Sequence, residues 1–112
     1  MTVFVVQKQM KMDHDSGELV PRFPSINKAE KWGKLHYLLS PSANPFKSEG
    51  IITDLQKSLG NFSDEDYLVL IGNPILIGIT SAIAAYHNEG NVNFLQWSGR
   101  ENRYIEIKTR IK

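Results

Sequence analysis

The sequence predicts a small single-domain α/β fold with a parallel β-α-β-α-β centre, extended by antiparallel edge strands or hairpins at both termini. Three observations carry this. Short β-branched and aromatic runs alternate with helical patterns through the middle of the chain, and the ends read as strand pairs. Two Asn-Pro dipeptides, Asn44-Pro45 and Asn73-Pro74, stand where a strand hands over to a helix. The chain has 112 residues, 41% hydrophobic and 22% charged, with a formal net charge of +1, which suits one domain over residues 1–112.

Taken in order, Thr2 to Met12 is rich in Val and Phe without Gly or Pro, and a polar turn at Asp13–Gly17 connects it to Glu18–Phe23 as a hairpin. Asp13, His14 and Asp15 are adjacent and do not converge on one ion, so they read as turn residues and no metal site is expected. Ser25 is a candidate cap for a short helix that stops at Gly33. Lys34–Ser40 follows as a strand with Leu35, Tyr37 and Leu39 on one face. After the Ser40–Pro45 loop, a helix to about Leu59 buries Ile51, Ile52, Leu55 and Leu59, and Gly60-Asn61 ends it.

Asp64, Glu65 and Asp66 form an acidic connection expected to be solvated. Tyr67–Ile71 is apolar on both faces, as a central covered strand requires. Tyr67 to Tyr86 is twenty residues without a charge, long enough for a membrane span. Gly72-Asn73-Pro74 interrupts it, so the stretch reads as strand, turn and buried helix, and no membrane partner is expected. In the helix from Ile75 to about Asn88, Gly78, Ala82 and Ala85 are spaced to permit close approach to a sheet or another helix. Val92–Trp97 and Arg103–Ile111 form the last hairpin. Ile105, Ile107, Thr109 and Ile111 are expected on its buried face, and Glu106, Lys108, Arg110 and Lys112 on its wet face.

No catalytic constellation is legible. The absence of cysteine removes thiolate, disulfide and zinc-thiolate chemistry and sets a reducing, cytoplasmic expectation; the amino terminus lacks the pattern of a secretion signal. Gly-x-Ser-x-Gly is missing. His87 lies in the last turn of its helix, where the dipole favours a cation, and His36 lies in a strand.

Two candidate surfaces remain. The loops beyond the carboxyl ends of parallel strands bring Ser40, Ser42, Asn44, Gly72, Asn73 and Trp97 forward as ligand-binding candidates, because helix amino termini converge there. Against this, neither turn has a phosphate-loop or dinucleotide motif, so no cofactor is expected, and each asparagine consumes amides an anion would need. From Gly99 to Lys112 the positive residues exceed the negative by three. Trp97 and Tyr104 interleave with Arg100, Arg103, Lys108 and Arg110 as a candidate partner surface. A basic wet face is also what any edge strand needs against edge-to-edge pairing.

The run Asp66-Tyr-Leu-Val-Leu-Ile-Gly-Asn-Pro-Ile-Leu-Ile-Gly78, followed by Ala82–Ala85, by Phe94–Trp97 and preceded by Ser40–Phe46, resembles small uncharacterised proteins encoded by tailed bacteriophages. The resemblance spans roughly residues 35–107 and implies a protein made in the host cytoplasm, without assigning catalytic residues. The leading expectation is a non-catalytic phage accessory protein that binds a host protein or a nucleic-acid-associated complex. The alternative is a small-ligand or nucleotide-binding protein, conceivably an enzyme, and a third reading is a virion component. Val3, Val5, Ile105 and Ile107 are candidate positions for dimerisation through a sheet edge.

Overall fold

The computed structural model describes residues 1–111. Strand β1 (Thr2–Gln7) lies inside a five-stranded sheet, parallel to β4 (Lys34–Leu39) on one side and to β5 (Tyr67–Val69) on the other. Next to β5 comes β6 (Asn91–Ser98), also parallel, and the sheet closes with antiparallel β7 (Arg103–Arg110), giving the order β4-β1-β5-β6-β7. A separate hairpin pairs β2 (Met10–Met12) with β3 (Leu19–Pro21).

The chain steps outward from β1 to β4 and then returns past β1 to β5 and β6. Right-handed crossovers in opposite directions place their connections on opposite faces. Accordingly, the 3-10 helix Pro24–Trp32 covers one face, where Ile26 and Ala29 pack on Val3, Val5, Tyr67, Val69, Leu95 and Tyr104. Helices α1 (Ser48–Ser58) and α2 (Pro74–His87) cover the other, where Leu55, Leu59, Leu76 and Ala84 pack on Val6, Leu39, Leu68 and Val92. Burial on both faces explains why β1 and β5 read as unbroken apolar runs.

Gly72-Asn73-Pro74 is the expected junction. Asn73 Oδ1 accepts from the amides of Ile75 at 2.9 Å and Leu76 at 3.4 Å, and Pro74 fills the first helical position, where no amide is needed. Asn44 plays the same part before the 3-10 turn Pro45–Lys47, accepting from Phe46 N at 2.9 Å. No helix among the described residues is long and apolar enough to cross a membrane.

Several expectations are corrected. Thr2–Met12 is not one arm of a hairpin: β1 ends at Gln7, the amide of Lys8 donates to Leu39 O at 3.0 Å, and only β2 forms the hairpin. Val3 and Val5, proposed as edge positions, are wholly buried in the second strand of the sheet. Ser25 caps nothing; the 3-10 helix starts at Pro24 without a side-chain cap. The central strand stops at Val69 rather than Ile71.

Asp66 is buried rather than solvated, because its carboxylate accepts from Thr2 N at 3.0 Å and from Ser63 N at 3.0 Å. In α2, Gly78 and Ala82 face outward instead of approaching the sheet. The faces of β7 are also redistributed. Ile107 is 38% and Ile111 71% exposed, since α1 and α2 do not reach the outer strand, whereas Tyr104, on the supposedly wet face, is buried under the 3-10 helix. Lys112 lies outside the described residues.

Candidate binding cleft

Where the chain reverses direction between β1 and β5, an open parallel sheet usually offers a ligand crevice. Here Gln7 fills it. Its side chain, at the carboxyl end of β1, is buried, and Nε2 lies 3.1 Å from Ser40 O, 3.4 Å from Pro41 O and 3.3 Å from Ala43 O. Its Oε1 accepts from Asn73 N at 2.9 Å. One amide side chain thus ties the turn after β4 to the turn after β5, using both its donor and its acceptor.

Gly72 makes that contact feasible. Its φ is +136°, and a Cβ there would stand 2.6 Å from Gln7 Cβ and 2.9 Å from Gln7 Oε1. The remaining groups of the junction are also engaged: the Ser40 and Ser42 hydroxyls lie 3.1 Å apart, and the first amides of α2 are taken by Asn73.

One strand further along, the sheet is open. β5 meets β6 only at Leu68 opposite Phe94, while β6 runs on to Ser98. Beyond Val69 the chain turns toward β1: Ile71 N donates to Val69 O at 3.0 Å, and Ile71 O accepts from Gln7 N at 2.9 Å. The carboxyl-terminal part of β6 is therefore left without a parallel neighbour. Between them lies a cleft of about 680 Å³, within the range of small-molecule sites. Leu70, Ile71 and Gly72 line one side and Leu95, Gln96 and Trp97 the other, with Phe23 and Ser25 at the start of the 3-10 helix and Tyr104 and Ile107 from β7.

The aromatic wall is ordered. Trp97 and Tyr104 meet edge to face, with centroids 5.1 Å apart. Lys28 Nζ lies 5.4 Å from the Trp97 ring centre, and Arg22 lies 5.7 Å from that of Phe23. Burial pushes the Tyr104 phenol above its ordinary value, so the wall stays neutral.

Below the cleft, Glu106 fastens β7 to the 3-10 helix. It accepts from Trp32 Nε1 at 3.1 Å and pairs with Lys108 at 3.2 Å. The Lys108 hydrogen bond, with smaller help from Trp32 and Tyr67, holds the Glu106 carboxyl below its usual range, and Glu106 in turn raises Lys108. Arg103 pairs with Glu101 at 2.9 Å. Of the basic residues of the partner surface, Arg103 and Lys108 each hold an acidic neighbour, and all four, with Arg100 and Arg110, are exposed.

Of the residues singled out in sequence, Gly72, Trp97 and Tyr104 line the cleft. Ser40, Ser42, Asn44 and Asn73 belong to the junction Gln7 closes or to caps beside it. None of Arg100, Arg103, Lys108 and Arg110 lines the cleft; Arg100 is in the turn before β7, and Arg110, opposite Asn91, stands at the other end of the strand pair. Sequence reasoning missed Gln7, Phe23, Lys28, Leu70 and Ile107. Gln7 had one signal: a lone amide ending the apolar run Val-Phe-Val-Val, where a buried polar group needs a purpose. Among the described residues no group of three or more His, Asp or Glu side chains is placed to hold a metal ion.

A family model described as Phage Pam3 gp32-like protein matches residues 1–111, nearly the whole chain. No curated protein and no solved structure matches it. The strand, junction and helix that carried the resemblance to small phage proteins lie within that match, and the chain belongs to the phage Pam3 gp32-like family.

Proposed function

We propose that this phage protein is a non-catalytic accessory factor that binds a host protein in the infected cell's cytoplasm, seating an apolar or aromatic side chain of that partner in the cleft between β5 and β6. One observation carries the reading: a cleft of about 680 Å³ walled by Phe23, Trp97, Tyr104, Leu70 and Ile107 stands open where β5 leaves the sheet. Interfaces draw most of their affinity from a few aromatic or aliphatic anchors in such pockets. The lining of the cleft favours a protein over a nucleic-acid-associated complex, because a phosphate backbone is held by cations and no Lys or Arg lines it.

Recovery of a host protein from lysate should fall at least tenfold with Trp97→Ala, and less with Arg103→Ala. Undiminished recovery with both variants, in chains whose circular dichroism matches the parent, would reject this surface.

The volume of the same cleft also favours a second reading, a small-ligand site. A thermal-shift screen against nucleotides and phosphorylated metabolites separates the two. A ligand at a hundred times its dissociation constant adds about 2.7 kcal/mol, and a flat panel removes this alternative.

A further inference from the structure

We infer that the outer face of α2 is a self-association surface, on which a second copy of this chain lays its own α2 antiparallel across a two-fold axis. Only Leu76, Thr80 and Ala84 of the helix are buried. The opposite arc carries Ile75, 60% exposed, Tyr86, 82% exposed, and between them exposed Gly78 and Ala82, with Ile79 and Ile83 half-buried at its border. From Pro74 to Tyr86 there is no charged side chain. A helix of a globular domain ordinarily turns a charged face to water.

Gly78 is the second observation. A glycine inside a helix lowers its stability and is normally explained by something packed against it. Here nothing lies within 4 Å of where its Cβ would stand. The fold of one chain gives no reason for glycine at this position, whereas a backbone arriving from outside does.

The pattern is also self-complementary. With the axis between Thr80 and Ser81, Ile75 faces Tyr86 of the second copy and Ile79 lies diagonal to Ala82, while exposed Gly78 and Ala82 near the axis let the two backbones approach. Two-fold pairing of one patch with itself is the commonest way identical chains associate.

The area decides how tight this is. A helix of 14 residues is about 21 Å long, and a side chain such as Tyr86 contributes on the order of 150 Å². The arc then offers roughly 500 Å² per copy, so a pair covers about 1,000 Å², the threshold for a specific interface and below an obligate one. The association is therefore reversible, between chains that fold alone. A membrane surface is the poorer occupant, because helices that lie in lipid headgroups carry Lys or Arg on their polar face and α2 has neither.

Sedimentation equilibrium of the full chain from about 1 μM to 1 mM should show the mass rising from one chain to two. Tyr86→Glu and Ala82→Glu should hold it at one, with unchanged circular dichroism. Gly78→Ala is the sharper variant. It should raise the melting temperature of the dilute chain, as helix propensity demands, while weakening self-association at least tenfold. A chain that stays single at all concentrations, a dimer that survives Tyr86→Glu, or a Gly78→Ala variant that associates as well as the parent would each overturn the inference. So would binding to anionic vesicles that Tyr86→Glu abolishes without any self-association.

Discussion

The two gaps at the carboxyl ends of the sheet differ in one respect: whether a side chain of the protein occupies them. Between β1 and β5, Gln7 spends its amide on the carbonyls of Ser40, Pro41 and Ala43 and on the amide of Asn73. Between β5 and β6, the early departure of the chain after Val69 leaves a cleft that Trp97 and Tyr104 wall but do not fill. The topological position that most often holds a ligand in open parallel sheets is here a structural tie, and the available space has moved one strand along. A rule about where sites lie states where polar groups converge. It does not state whether the fold has already used them.

The closed gap is the easier to break. Gly72→Ala places a Cβ 2.6 Å from that of Gln7 at a φ of +136°, and should destabilise the chain by roughly 3 kcal/mol in chemical denaturation. A loss under about 0.5 kcal/mol would mean that the two turns are not held together. Gln7→Leu keeps the volume but strands the carbonyls and the Asn73 amide, at a cost of about 2 kcal/mol. Asn73 amide exchange should quicken in that variant, while that of Val92 and Leu95, in the body of β6, should not. Equal acceleration everywhere would point to global unfolding rather than an opened junction.

Much of the fold was legible, and for a physical reason. Elements specified by local chemistry, such as the Asn73-Pro74 cap, the covered strand at Tyr67–Val69 and the β6–β7 hairpin, follow from residues next to one another. What sequence could not supply was which strands are neighbours. Thr2–Met12 looked like a hairpin arm because its hairpin half is real, but Val3 and Val5 are interior because β4 and β5 pair with β1 from more than thirty residues away. The same gap in information hid the site. Trp97 and Gly72 could be chosen from sequence as residues near strand ends, whereas Phe23 and Ile107 reach the cleft only through the packing of the 3-10 helix and β7. The apolar face of β7 was misjudged because its burial depended on helices that stop short of the outer strand.

The open gap is sharpened by smaller effects. The phenols of Tyr67 and Tyr104 are both raised, chiefly by burial, so in an ultraviolet titration two of the four tyrosines should ionise later than the ordinary value of 10.0. Their protonated forms support the fold below that pH, and the support is lost as pH rises through the folded values. A Tyr104 phenol that ionises at the ordinary value would mean that its ring is not buried in the wall. Glu106 works in the other direction. Its folded value lies below 4.5, so its contribution is present above that pH and fades as the solution is acidified through the lowered value. Glu106→Gln should therefore flatten the acid limb of the stability curve by a small, salt-sensitive amount, and an unchanged limb would show that the Trp32 and Lys108 contacts carry no stability.

The most direct test of the closed and open gaps is a fragment screen read by amide and indole chemical shifts on the isotope-labelled chain. The account predicts saturable shifts confined to Ile71, Gly72, Leu95, Gln96, Tyr104 and the Trp97 indole. Saturable shifts centred on Ser40, Ser42 and Asn44 would contradict it, because they would mean that Gln7 does not close the junction and that the open space lies elsewhere.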